Sequence, residues 1–179
     1  MRKKMIVLTG CIIFLLTGTA AEADWQEAGV RIGIQAGPKH EYFRQYEAFA
    51  VYGLPWDWRM SSGWGLAPRL NLSAGTLVGG NTTGFIGSAG AGLIFNKPGS
   101  GIALEAGASF NLLDRRQFGQ QDFGSILLWG AYMGVAYRFA GGLGVGYRLQ
   151  HVSNNRILYT NRTPNPGLDM HMIGVSWNF

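Results

Sequence analysis

Residues 142–156 read GLGVGYRLQHVSNNR, and their period is two. Leu143, Val145, Tyr147 and Leu149 alternate with Gly144, Gly146, Arg148 and Gln150. That spacing puts large apolar residues on one face of a β-strand and glycine with polar residues on the other. His151 and Ser153 continue the apolar face. An imidazole and a hydroxyl therefore end the greasy side of a strand, and the architecture decides what that side meets.

The same alternation recurs along the chain. Val30, Ile32, Ile34 and Ala36 oppose Arg31, Gly33 and Gln35; Trp64, Leu66, Leu70 and Leu72 oppose Gly65, Ala67, Arg69, Asn71 and Ser73. Ile102, Leu104, Ala106, Ala108, Phe110 and Leu112 oppose Glu105, Gly107, Ser109 and Asn111, and Ile173, Val175, Trp177 and Phe179 oppose Gly174, Ser176 and Asn178. Noisier segments over 41–53, 84–96 and 122–138 bring the expected count to eight strands, separated by turn signals such as NKPGS and FAGG.

Eight alternating strands fit a soluble sandwich or a membrane barrel, and the two differ in which face is inside. In a barrel the large residues meet lipid, while small and polar ones fill the lumen. With 28 Gly and only 14% charged residues, the second faces lack the Lys and Glu of a watered surface. Strands of about 10–12 residues match a tilted bilayer span better than the usual soluble strand of about 5–6. Trp56, Trp58, Trp64, Trp177 and Phe179 fall near strand ends, where an interfacial girdle belongs. The expected fold is all-β: an eight-stranded antiparallel up-and-down transmembrane β-barrel. Such a barrel is filled by side chains and conducts poorly, so Glu105, Arg69, Arg138 and Arg148 are expected to form an internal ion-pair network.

The first 23 residues read as an export signal removed after Ala23, with a basic start (MRKK), an apolar run and an A-x-A site at Ala21–Ala23. The barrel domain is then 24–179, in the outer membrane of a bacterium. LTGC, ending at Cys11, resembles a lipoprotein box, but cutting there leaves too short an apolar run. Cys11 is the only cysteine, so the exported chain can form no disulfide and no thiolate site. The leader carries Arg2, Lys3, Lys4 and Glu22 out of a net charge of +5, and the mildly basic remainder gives no reason to expect nucleic acid. The oligomeric state is open between one barrel and a homodimer.

With the N-terminus on the periplasmic side, bends near 37–41, 74–84, 113–122 and 154–167 lie outside. His151 and Ser153 then sit at the outer end of the seventh strand and point at lipid. Parity puts Asp169, on the descending eighth strand, on the same wall. A hydroxyl, an imidazole and a carboxylate are the parts of acyl transfer: the imidazole takes the hydroxyl proton during attack on a carbonyl, and the carboxylate fixes its tautomer. Residues two apart on a strand lie roughly 6.5–7 Å apart at the backbone, near enough for the Ser153 and His151 side chains to meet. Asn154, through its amide or a neighbouring N–H, can hold an oxyanion. His171 shares the wall and reads as an interfacial residue, with a role as the base its alternative. Asn161-Arg162-Thr163 has the form of a glycosylation signal without meaning in such a membrane.

HVSNNR followed by NPGLD, close to a C-terminal strand ending in an aromatic, resembles the outer-membrane lipid A 3-O-deacylase family, PagL. The shared motif covers 147–179. The resemblance implies His151 as general base, Ser153 as nucleophile, Asn154 as oxyanion contributor, Asp169 as the acidic member where the best-described relative has Glu, and Asn165 and Gly167 as shapers of the adjoining loop. It implies hydrolysis of the ester-linked acyl chain at the 3-position of lipid A, with lipopolysaccharide and outer-membrane lipids as partners and no metal or other cofactor. Lys39, Arg115, Arg116, Arg156 and Arg162 fall in the outer bends, where they can pair with lipid A phosphates. The competing reading is a non-catalytic barrel, structural or adhesive, that tolerates substitution at 151, 153 and 169. Acyl transfer in place of hydrolysis would need a phospholipid donor.

Overall fold

A computed structural model describes residues 23–154 and 167–179. Eight long strands run β1 (Trp25–Gln35), β2 (Phe43–Gly53), β3 (Gly65–Gly79), β4 (Thr82–Asn96), β5 (Ile102–Leu113), β6 (Leu127–Arg138), β7 (Leu143–Ser153) and β8 (Leu168–Asn178). Each pairs antiparallel with its sequence neighbours, and β1 pairs with β8, closing an up-and-down barrel. Closure gives every strand two partners, which lipid demands of any spanning sheet. Trp58–Arg59 extends the β2–β3 connection along β3, and Gln117–Phe118 pairs with Gln121–Asp122 in a small hairpin within the β5–β6 loop.

The expected bend over 74–84 is corrected. Thr76 to Val78 continue the β3 ladder, and Thr82 and Thr83 already belong to β4, so only Gly80 and Asn81 turn. The small residues Ser73, Ala74 and Gly75 blur the alternation without interrupting the backbone pairing.

The barrel is inside out relative to a soluble protein. Val30, Ile32, Leu104, Met133, Val135 and Ile173 are exposed on the outer wall, whereas Arg31, Glu47, Asn71, Arg148 and Gln150 are buried. That inversion is the signature of a wall solvated by acyl chains. Inside, the outer end is plugged by apolar side chains, among them Phe43, Leu77, Phe118, Phe123, Val152 and Met170. Beneath the plug lies a polar layer. Arg31 Nη1 donates to Glu47 Oε1 at 2.8 Å, and Arg148 grips both Glu105 oxygens at 2.8 and 3.0 Å while Nη2 reaches Asn71 Oδ1 at 3.2 Å. Asn71 in turn donates to the Tyr132 hydroxyl at 2.8 Å. Gly92 and Gly107 flank that hydroxyl, and a Cβ at either would stand 2.4 or 2.5 Å from it. Lumen glycine is thus the space that lets a tyrosine cross the interior.

Candidate active site on the outer wall

The site forms where β7 ends and β8 begins. His151 and Asp169 are direct cross-strand partners, so their side chains leave the sheet side by side on the outer wall. His151 Nδ1 lies 2.7 Å from Asp169 Oδ1, with both side chains about half exposed (51% and 47%). The acceptor is a carboxylate, so Nδ1 carries the proton and donates it, which leaves Nε2 as the basic nitrogen. Asp169 is held by its backbone as well, its carbonyl accepting from Ala36 N at 2.8 Å.

Gly167 lies against the other edge of the ring. Its φ is +58°, and a Cβ there would stand 3.0 Å from His151 Cε1 and 3.7 Å from Nε2. A side chain at 167 would press on the edge of the imidazole that carries its basic nitrogen.

Ser153 keeps the parity of His151 but is not open to lipid as expected: it is buried, with 9% of its surface exposed. At the last residue of β7, its register partner on β6 is Trp129, an indole on the same wall with its ring centroid 4.3 Å from that of Phe110 and tilted 51° to it. Ser153 is thus sheltered where His151, two residues earlier on the strand, is half exposed. Asn154 turns the opposite way. Its amide is buried, and Nδ2 donates 2.9 Å to the Phe123 carbonyl in the β5–β6 loop. Asn165, Arg156 and Arg162 lie outside the described residues.

His171 is engaged elsewhere, its Nδ1 lying 2.6 Å from the Tyr147 hydroxyl with the rings stacked at 5.9 Å. Of the two histidines on this wall, His151 is the one joined to a carboxylate. Tyr147, Trp129 and the Phe123 carbonyl went unassigned from sequence; parity alone put Tyr147 on the histidines' face, while Trp129 and Phe123 come from distant strands and loops.

The outer cations are mostly paired. Arg115 bonds Asp114 at 2.9 Å and Arg116 lies 3.6 Å from Asp122. The Arg115 guanidinium holds the Asp114 carboxyl below its usual range, and that bond raises Arg115 in turn. Arg44, on the outward face of β2 at the rim of the apolar belt, instead lies 5.5 Å from the Tyr42 ring.

A family model described as lipid A 3-O-deacylase (PagL) matches residues 44–178. The crystal structure of the outer membrane enzyme PagL superposes with a TM-score of 0.73 at 20% identity, over 86% of this chain and 99% of that one. Neisserial surface protein A superposes with a TM-score of 0.53 at 16% identity, over 89% and 100%. A designed transmembrane β-barrel does so with 0.51 at 13%, over 90% and 100%. These likenesses carry the fold. No curated protein sequence matches the chain.

Proposed function

The chain belongs to the lipid A 3-O-deacylase (PagL) family of outer-membrane barrels, and from that premise we propose that Ser153, His151 and Asp169 are the groups that cleave the ester. Ser153 Oγ attacks the carbonyl carbon of the acyl chain at the 3-position while His151 Nε2 takes its proton. Asp169 accepts from Nδ1–H, holding the tautomer and stabilising the imidazolium. As the tetrahedral intermediate collapses, His151 returns the proton to the departing sugar oxygen, leaving an acyl-serine. Water, deprotonated by the same nitrogen, then releases the fatty acid and restores the hydroxyl.

A backbone N–H near Ser153 stabilises the oxyanion, an effect on the order of 10²–10³ in rate, and Asn154, whose amide turns inward, serves by fixing that backbone. The buried anchor on Phe123 fixes Asn154 before substrate arrives. Asn165 and Gly167 shape the loop beside the imidazole, Gly167 by leaving the ring room. Arg44 supplies an outward cation for a lipid A phosphate at the rim. Export by removal of the leader through Ala23 belongs to the same reading.

One observation carries this proposal: the 2.7 Å His151–Asp169 bond on the exterior wall, two residues from a hydroxyl at the same rim. A lipid already in the outer leaflet meets such a site without leaving the membrane. Ser153→Ala and His151→Ala should each abolish the loss of one hydroxyacyl mass from lipid A, with heat-modifiable gel migration showing that the barrel still folds. Full deacylation by either folded variant would remove the mechanism.

A further inference from the structure

The polar interior is not electrically balanced. Among the described residues, four arginines enter the lumen's ion pairs and three glutamates meet them: Arg31 with Glu47, Arg148 with Glu105, and Arg69 and Arg138 both with Glu27. The surplus is localised. The first two pairs close at 2.8 Å, but Glu27 is shared, 3.4 Å from Arg138 and 3.9 Å from Arg69. Arg69 has a 10% exposed side chain, and its buried Nε has no hydrogen-bond partner among the described residues. The two arginines line a cavity of about 40 Å³ together with Glu27, the Arg148–Glu105 pair, Arg31 and the apolar Phe49 and Ile94.

We propose that this periplasmic half of the lumen binds one small inorganic anion, of chloride size, between Arg69 and Arg138. Water could satisfy the lone N–H, but it carries no charge to offset the surplus cation, and an uncompensated buried charge is costly. At roughly 10–15 Å³ per water-sized occupant, the space suits a monatomic ion with one or two waters and excludes a lipid or sugar headgroup. Arg138, at the rim with 28% of its side chain exposed, gives the ion its route from the periplasm. This inference goes beyond the deacylase reading and does not rest on it.

Thermal unfolding of the detergent-solubilised full chain tests it, with sodium chloride compared against sodium gluconate at equal ionic strength. Chloride should raise the midpoint with the logarithm of its concentration above the dissociation constant, by on the order of 5 °C at a hundredfold excess. Glu27→Gln, which removes the competing carboxylate, should move the onset of that rise to lower chloride, and Arg69→Met should abolish the difference between salts. Should Arg69→Met not fold, crystals of the unaltered protein soaked in bromide decide: an anomalous peak within hydrogen-bonding distance of Arg69 Nε is expected. Identical midpoints in both salts, or density there that shows no anomalous signal, would overturn the proposal.

Discussion

Asp169 is one methylene shorter than the Glu of the best-described relative, yet it reaches His151 because the two residues are direct register partners. Direct opposition sets Cβ atoms about 4.5–5.5 Å apart, a gap the short side chain closes at 2.7 Å. Asp169→Asn would present an N–H or a weaker acceptor to Nδ1 and favour the wrong tautomer. The expected result is a fall in kcat of about 10³–10⁴ with little change in KM; a loss confined to KM would point to substrate binding instead. Gly167 is as tightly constrained. Alanine there must adopt φ near +58° and place a methyl 3.0 Å from the ring, so the imidazole has to move. Misplacement by about 1 Å can cost on the order of 10² in rate; the methyl asks less of the ring than that, so Gly167→Ala should show a smaller but measurable loss in a lipid A release assay while gel migration stays that of the folded barrel. An unchanged rate would mean the ring tolerates displacement.

The β7–β8 rim is braced from beneath rather than by its own hydrogen bonds alone. Val152, Leu168 and Met170 point into the apolar plug, and the β5–β6 loop adds Phe118 and Phe123 to it while its backbone holds Asn154. Phe123→Ala should therefore do two things: destabilise the barrel by about 3–5 kcal/mol and lower the deacylation rate per folded molecule by loosening the backbone that holds Asn154. Phe43→Ala removes a ring 5.6 Å from Phe123 in the same plug, but from β2 and not from the loop whose backbone holds Asn154. It should cost similar stability with a smaller drop in rate per folded molecule; equal drops would mean the plug acts on the site only through global stability. These elements also mark what a linear reading could reach. Strict alternation on β7 and β8 reveals strand, face and the outward parity of His151 and Asp169. The burial of Ser153 was not legible, because parity gives the face a side chain takes and not what lies over it. The β3–β4 turn was misplaced for a related reason: Ser73-Ala74-Gly75 carries no hydrophobic signal, and only ladder pairing with Glu47 and Ile86 shows the strand continuing.

The barrel's orientation toward its solvent makes an exterior active site possible at all. A soluble sandwich would bury the Met133, Val135, Ile173 and Val175 faces, and its polar residues would line the surface; here those apolar side chains stand outward and the ion pairs stand inside. The His151 imidazole therefore shares a wall with the apolar belt, and in the proposed mechanism a lipid ester reaches it by lateral diffusion. Substitution on that wall separates the two architectures. Met133 lies midway along β6 with 63% of its surface exposed, and arginine there would place a charge in the hydrocarbon. In unfolding titrations from lipid vesicles, Met133→Arg should cost about 2–4 kcal/mol, whereas arginine replacing the rim residue Tyr42 should cost no more than about 1 kcal/mol. An arginine at 133 that leaves bilayer stability untouched would mean this face does not contact lipid, and an ester held in the outer leaflet could not then approach His151 along the wall.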